Sequence, residues 1–101
     1  MINNQTESHA MPFDLFRQGG VNIVFEPGPE KLALPLIALQ SIHYRKQDVE
    51  LIVMEFPEHH VEIQGTGLEG LFDFLADHKV RVIRSGQTQN CAVHKIIVAA
   101  G

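Results

Sequence analysis

Hydrophobic and polar positions along this chain repeat with two different periods, and the changes between them mark out its elements. The run Val21-Asn22-Ile23-Val24-Phe25 is β-branched and aromatic, follows Gly19-Gly20, and predicts a first strand. It ends at Glu26-Pro27-Gly28-Pro29-Glu30, where two prolines fix φ and Gly28 stays free between them. Leu32 to Tyr44 reads two ways. Leu32, Leu36, Leu39 and His43 fit a helical stripe, but Pro35 interrupts any helix starting at Glu30, so a strand from Leu36 is expected. Arg45-Lys46-Gln47-Asp48 is a polar loop, and Val49 to Phe56, with apolar residues on both faces, predicts a central strand. After a turn at Pro57-Glu58, His59, Val61 and Ile63 alternate with His60, Glu62 and Gln64, the pattern of a half-buried strand.

The period then switches from two to 3.6. Thr66 stands three residues before Glu69, a capping box that predicts a helix from Gly67 to about His78. Leu68, Leu71, Phe72 and Leu75 make its apolar stripe, with Glu69, Asp73 and Asp77 opposite. Val80 to Arg84 and Ala92 to Ala99 are expected as the last two strands, paired as a hairpin across the polar loop Ser85 to Asn90. The expected class is α+β: a curved, mostly antiparallel sheet of five to six strands, with partial closure into a small barrel as a variant, and one amphipathic helix between strands four and five. Residues 1–11 are polar and aperiodic and read as a disordered tail; residues 12–101 read as one small domain.

Hairpin pairing assigns side chains to faces. With Arg45 to Asp48 taken as a four-residue loop, Ile52, Met54, Phe56, Val61 and Ile63 share a core face. Ile42, Tyr44, Val49, Leu51 and Val53 then share the other, a second apolar patch that one short helix cannot also cover. Such a patch points to association, so a homo-oligomer joined through these five residues is expected.

Composition narrows the partners. Hydrophobic residues make up 45% of the chain and charged residues 20%, an ordinary globular balance. Eight Lys and Arg against 12 Asp and Glu leave a net charge of −4, which disfavours nucleic acid. Lys79, Arg81 and Arg84 cluster, but Asp73 and Asp77 interleave with them. One cysteine makes no internal disulfide, the first residues lack the basic and apolar regions of a signal peptide, and no apolar run is long enough for a membrane span. A cytoplasmic location without membrane contact is the expectation.

Three constellations carry candidate chemistry. Gly65-Thr66-Gly67-Leu68-Glu69-Gly70 is a G-x-G-x-x-G between a strand and a helix, the context in which backbone amides hold a dinucleotide pyrophosphate. Against this, the preceding strand alternates with polar residues, and the distance to a ribose-binding acid ends on Arg84 and Ser85. Gly65, Thr66, Gly67 and Arg84 therefore define the alternative function, a small-ligand or nucleotide-binding protein; otherwise the three glycines serve the turn and close packing. Glu58, His60 and Glu62 share a strand face and could hold a divalent ion with mixed ligands, whereas a solvated polar sheet end is the simpler reading. His43 opposite Glu50 would be a similar pair, and Cys91 with His94 is half a zinc or thiolate site lacking further ligands. No catalytic motif is present, so the expected function is a non-enzymatic, self-associating interaction or binding module without a cofactor.

Overall fold

The computed structural model describes residues 11–101, so the expected tail lies almost entirely outside the described residues. Two sheets form rather than one. The smaller contains β1 (Phe13–Leu15), β2 (Asn22–Glu26), β3 (Leu32–Pro35) and β7 (Val80–Arg84), in the order β1-β7-β2-β3. The larger contains β4 (Ser41–Lys46), β5 (Glu50–Phe56), β6 (His59–Thr66), β8 (Gly86–Gln87) and β9 (Ala92–Ala100), in the order β4-β5-β6-β9-β8. A 3₁₀ turn at Leu36–Ala38 and one helix, α1 (Glu69–Ala76), complete the elements. The fold is α+β and mostly antiparallel; the exception is β2 beside β7, which run parallel.

The core lies between the sheets. Ile23, Phe25 and Ile83 from the small sheet meet Ile52, Met54, Val61 and Ile63 from the large one, all fully buried. Leu68, Leu71 and Leu75 of the predicted helical stripe bury almost completely among them, a gain of about 2 kcal/mol each. Phe72, at the edge of that stripe, is half-buried and packs its ring 5.9 Å from Tyr44.

Three expectations are corrected. The strand expected from Leu36 starts at Ser41, because Leu36–Ala38 turns tightly and leaves Ile37 94% exposed. Leu32–Pro35 is instead a separate strand paired with β2, with Pro35 at its end, where its missing N–H does least harm. Val80–Arg84 does not form a hairpin with the last strand; it crosses to the small sheet between β1 and β2, while β9 pairs with β6 and β8. Finally, Lys46 pairs with Glu50, so the loop holds an odd number of residues, and Val49, 53% exposed, lies in it. An odd loop reverses the face of every β4 side chain. Ile42 and Tyr44 therefore lie opposite Met54 and Ile52 and pack on the core, so Ile42, Tyr44, Val49, Leu51 and Val53 do not form one patch.

Candidate functional site

The outer face of the large sheet follows from this register. Ser41, Glu55, His60 and Ala99 form one row across β4, β5, β6 and β9. His43, Val53, Glu62 and Ile97 form the next, and Arg45, Leu51, Gln64 and Lys95 the third. Leu51, Val53 and Ile97 are half-buried by their neighbours yet belong neither to the core nor to the residues packed against it. They make a short apolar band on a face whose other members, apart from the small Ala99, are polar. Of the five interface residues expected from sequence, Leu51 and Val53 lie here; Ile97 is an addition, legible in the run Ile96-Ile97-Val98 once alternate residues are assigned to opposite faces.

His60 stands between two carboxylates on this face. Its Nδ1 lies 2.8 Å from Glu55 Oε2 and its Nε2 3.1 Å from Glu62 Oε2. Carboxylates only accept, so both contacts are hydrogen bonds when the ring carries both protons. The contacts to Glu62 and then Glu55 raise the His60 pKa above the ordinary histidine value, against a smaller opposing effect of desolvation. The ring nitrogens point to opposite sides, so the carboxylates flank the imidazole instead of converging with it on one point. Glu58, the third member of the expected metal set, sits in the β5–β6 turn, where its carbonyl accepts from Gly101 N–H. Among the described residues, no group of three or more His, Cys, Asp or Glu is arranged to hold a metal ion.

The glycine turn is occupied by the chain itself. Gly67 N–H donates to Glu50 Oε2 at 2.9 Å and Leu68 N–H to Glu50 Oε1 at 2.8 Å. Tyr44 Oη–H donates to the same Oε1 at 2.9 Å. The expected capping box is not made: α1 begins at Glu69, Leu68 is its N-cap, and no side chain of that residue caps it. A carboxylate from β5 instead accepts from the amides of Leu68, the N-cap residue, and of Gly67 before it, at the helix start. The partner expected for His43 is thus taken by Tyr44, while His43 faces Val53 on the outer face.

Gly65 is closely packed, since a Cβ there would meet the carbonyl oxygen of Ala92, and Gly67 has φ +64° with Asn90's carbonyl oxygen in its way. Gly70, expected to pack closely, faces open space. Arg84 is engaged away from this turn. Its Nη2 donates to Asp14 Oδ2 at 2.7 Å, its Nη1 donates to the Met11 carbonyl at 2.8 Å, and its Nε lies 3.7 Å from Glu26. The hydrogen bond from Arg84 also holds the Asp14 carboxyl below its ordinary range, with Arg81 adding to it.

Two clefts remain. One of about 360 Å³ lies between Pro27, Glu30 and Lys31 of the β2–β3 turn with Leu32 of β3, and His59, Val98, Ala99 and Ala100 of the large sheet. Another, about 290 Å³, is lined by Thr66, the 87–92 segment and His94. Cys91 lies there half-buried; desolvation chiefly, with Glu50 adding, raises its thiol pKa, the reverse of thiolate activation. No helix among the described residues is long and apolar enough to cross a membrane. Compared with protein-family models, curated proteins and solved structures, the chain matches none of them.

Proposed function

We propose that this domain is a non-enzymatic interaction module that associates with copies of itself through its five-stranded sheet. The observation that supports this reading is Ile97, an apolar side chain outside the core that ends a short band with Leu51 and Val53 on a face that no described element covers. The band reaches the side of the sheet where β9 lies, so Ile97 belongs both to the uncovered face and to a strand with an open flank. Apolar surface left in water at such a position is removed most simply by a second copy.

The alternative, phosphate or nucleotide binding at Gly65 to Gly70, must compete with Glu50. An anion would displace a carboxylate already bonded to the Gly67 and Leu68 amides, with no described arginine or lysine bonded at the turn to repay the loss. Absolute mass by light scattering behind size exclusion tests the main reading. A mass rising towards twice that of the chain with concentration is expected; a chain-mass particle at every concentration overturns it.

A further inference from the structure

Sheet edges expose unpaired N–H and C=O groups, and proteins blunt them with short strands, proline or charge. Four of the strand edges here follow that rule. β1 has three residues and β8 two. β3 has four and ends in Pro35, and β4 carries the exposed His43, Arg45 and Lys46. β9 does not follow it. β8 pairs only with Ala92 and Val93, so the flank of β9 away from β6 is unpaired from His94 to Ala100 among the described residues, with the β2–β3 turn across a cleft from Val98 to Ala100. That stretch reads His-Lys-Ile-Ile-Val-Ala-Ala, without proline or glycine, and Lys95 is its one fixed charge.

We infer that two copies of this chain join edge to edge through β9, antiparallel and centred on Ile97, making one continuous sheet across a two-fold axis. This rests on the self-association proposed above and specifies its contact. An open edge recognises an extended strand, because only a strand presents donors and acceptors at the matching spacing. A second β9 fits for two reasons. In such a pair the outer face of one copy continues into the outer face of the other, so opposed residues must share a face, and the two-fold must pass through a residue position. Ile97 is the midpoint of the open stretch. Centring there sets Ile97 against its own copy on the outer face, Ile96 against Val98 on the core side, Lys95 against Ala99, and His94 against Ala100. Apolar side chains meet apolar ones, and no lysine meets a lysine. The half-buried Ile97 gains the cover it lacks in one copy.

The test measures mass by light scattering over roughly 1 μM to 1 mM, for the full chain and for Ile97→Lys, Ile97→Glu and Val53→Lys, with circular dichroism as the check on folding. The full chain is expected to dimerise. Ile97→Lys and Ile97→Glu each place like charges opposite one another and are expected to remain monomeric, while an equimolar mixture of the two regains the dimer. Val53→Lys, two strands from the edge on the same outer face, is expected to dimerise as the full chain does. A dimer that survives Ile97→Lys but is lost in Val53→Lys overturns edge pairing in favour of face-to-face contact and leaves self-association standing. Failure of the mixture to restore the dimer overturns the register centred on Ile97. A monomeric full chain overturns both proposals.

Discussion

Glu50 and Gly67 are 17 residues apart in sequence, yet the carboxylate of one accepts the backbone N–H of the other at 2.9 Å. A strand-borne side chain thus caps the helix, tying β5 to α1 by a charge-assisted bond at the positive end of the helix dipole. Glu50→Ala should cost about 1–2 kcal/mol, the range for loss of a helix cap, seen as a lower midpoint in urea. Hydrogen bonds from Leu68 first, then from Gly67 and Tyr44, lower the Glu50 pKa. A carboxylate depressed in the folded state adds stability above its unfolded value, and that stability is lost as pH falls through the folded value. Asp14, lowered mainly by its bond from Arg84, acts in the same direction. Stability should therefore decline as pH drops below about 4, and less steeply in Glu50→Ala. An equal decline in both proteins would remove Glu50 from the acid limb.

The same pair of bonds predicts how the glycine turn treats anions. Adding ATP or inorganic phosphate to isotope-labelled protein should leave the Thr66, Gly67 and Leu68 amide resonances in place, because Glu50 already neutralises the helix start. Saturable shifts confined to those amides would restore the ligand-binding reading.

The glycines of the turn should divide by packing. Gly65→Ala drives a methyl into the Ala92 carbonyl and should cost roughly 1–3 kcal/mol. Gly67→Ala adds a left-handed backbone to a similar clash and should be at least as costly. Gly70→Ala, inside the helix and facing open space, should raise stability by about 1 kcal/mol. A loss at Gly70 equal to that at Gly65 would mean that all three glycines serve one purpose, as a ligand cradle would require.

Much of the fold was legible where apolar spacing alone decides. The β5 and β6 alternation, the two-residue turn between them and the Leu68, Leu71, Leu75 stripe all follow from burying every second or every third-to-fourth residue. The face of β4 was misread because loop parity was taken from the polarity of Arg45 to Asp48. A β-branched Val49 sits in that turn, and its apolar character hid it there. The alternation of β4 itself held the answer, since Ile42 and Tyr44 are its apolar residues and the neighbouring core face carries Ile52 and Met54. The parallel pairing of β2 with β7 and the Glu50 cap join residues far apart in the chain, and no local pattern records such contacts.

His78 offers a gain in stability by substitution. It follows the helix with φ 57°, and its N–H bonds the Leu75 carbonyl while Lys79 N–H bonds that of Phe74. This is a Schellman ending, whose left-handed position favours glycine. His78→Gly should stabilise the fold by about 0.5–1 kcal/mol, raising the melting temperature by a few degrees. A lower melting temperature would show that the imidazole makes a contact worth more than the backbone strain.

The His60 clamp should give stability the opposite pH dependence to that of Glu50. Hydrogen bonds to Glu62 and then Glu55 raise its pKa in the folded protein. A raised histidine contributes stability that is fully present below the unfolded value, about 6.5, and is lost as pH climbs through the folded value. Titration of the His60 ring protons by NMR should give a midpoint above that of an unstructured histidine. Glu62→Gln should lower the midpoint by removing the first of the two partners, and Glu55→Gln should do the same through Nδ1. In His60→Gln the decline in stability on the alkaline side of about 6.5 should disappear, while the acid limb set by Glu50 and Asp14 stays. Because the clamp occupies the outer face and not the β9 edge, none of the three glutamine variants should alter the dimer mass. A midpoint unchanged in both Glu62→Gln and Glu55→Gln would place the ring outside the clamp and return these carboxylates to the solvated surface.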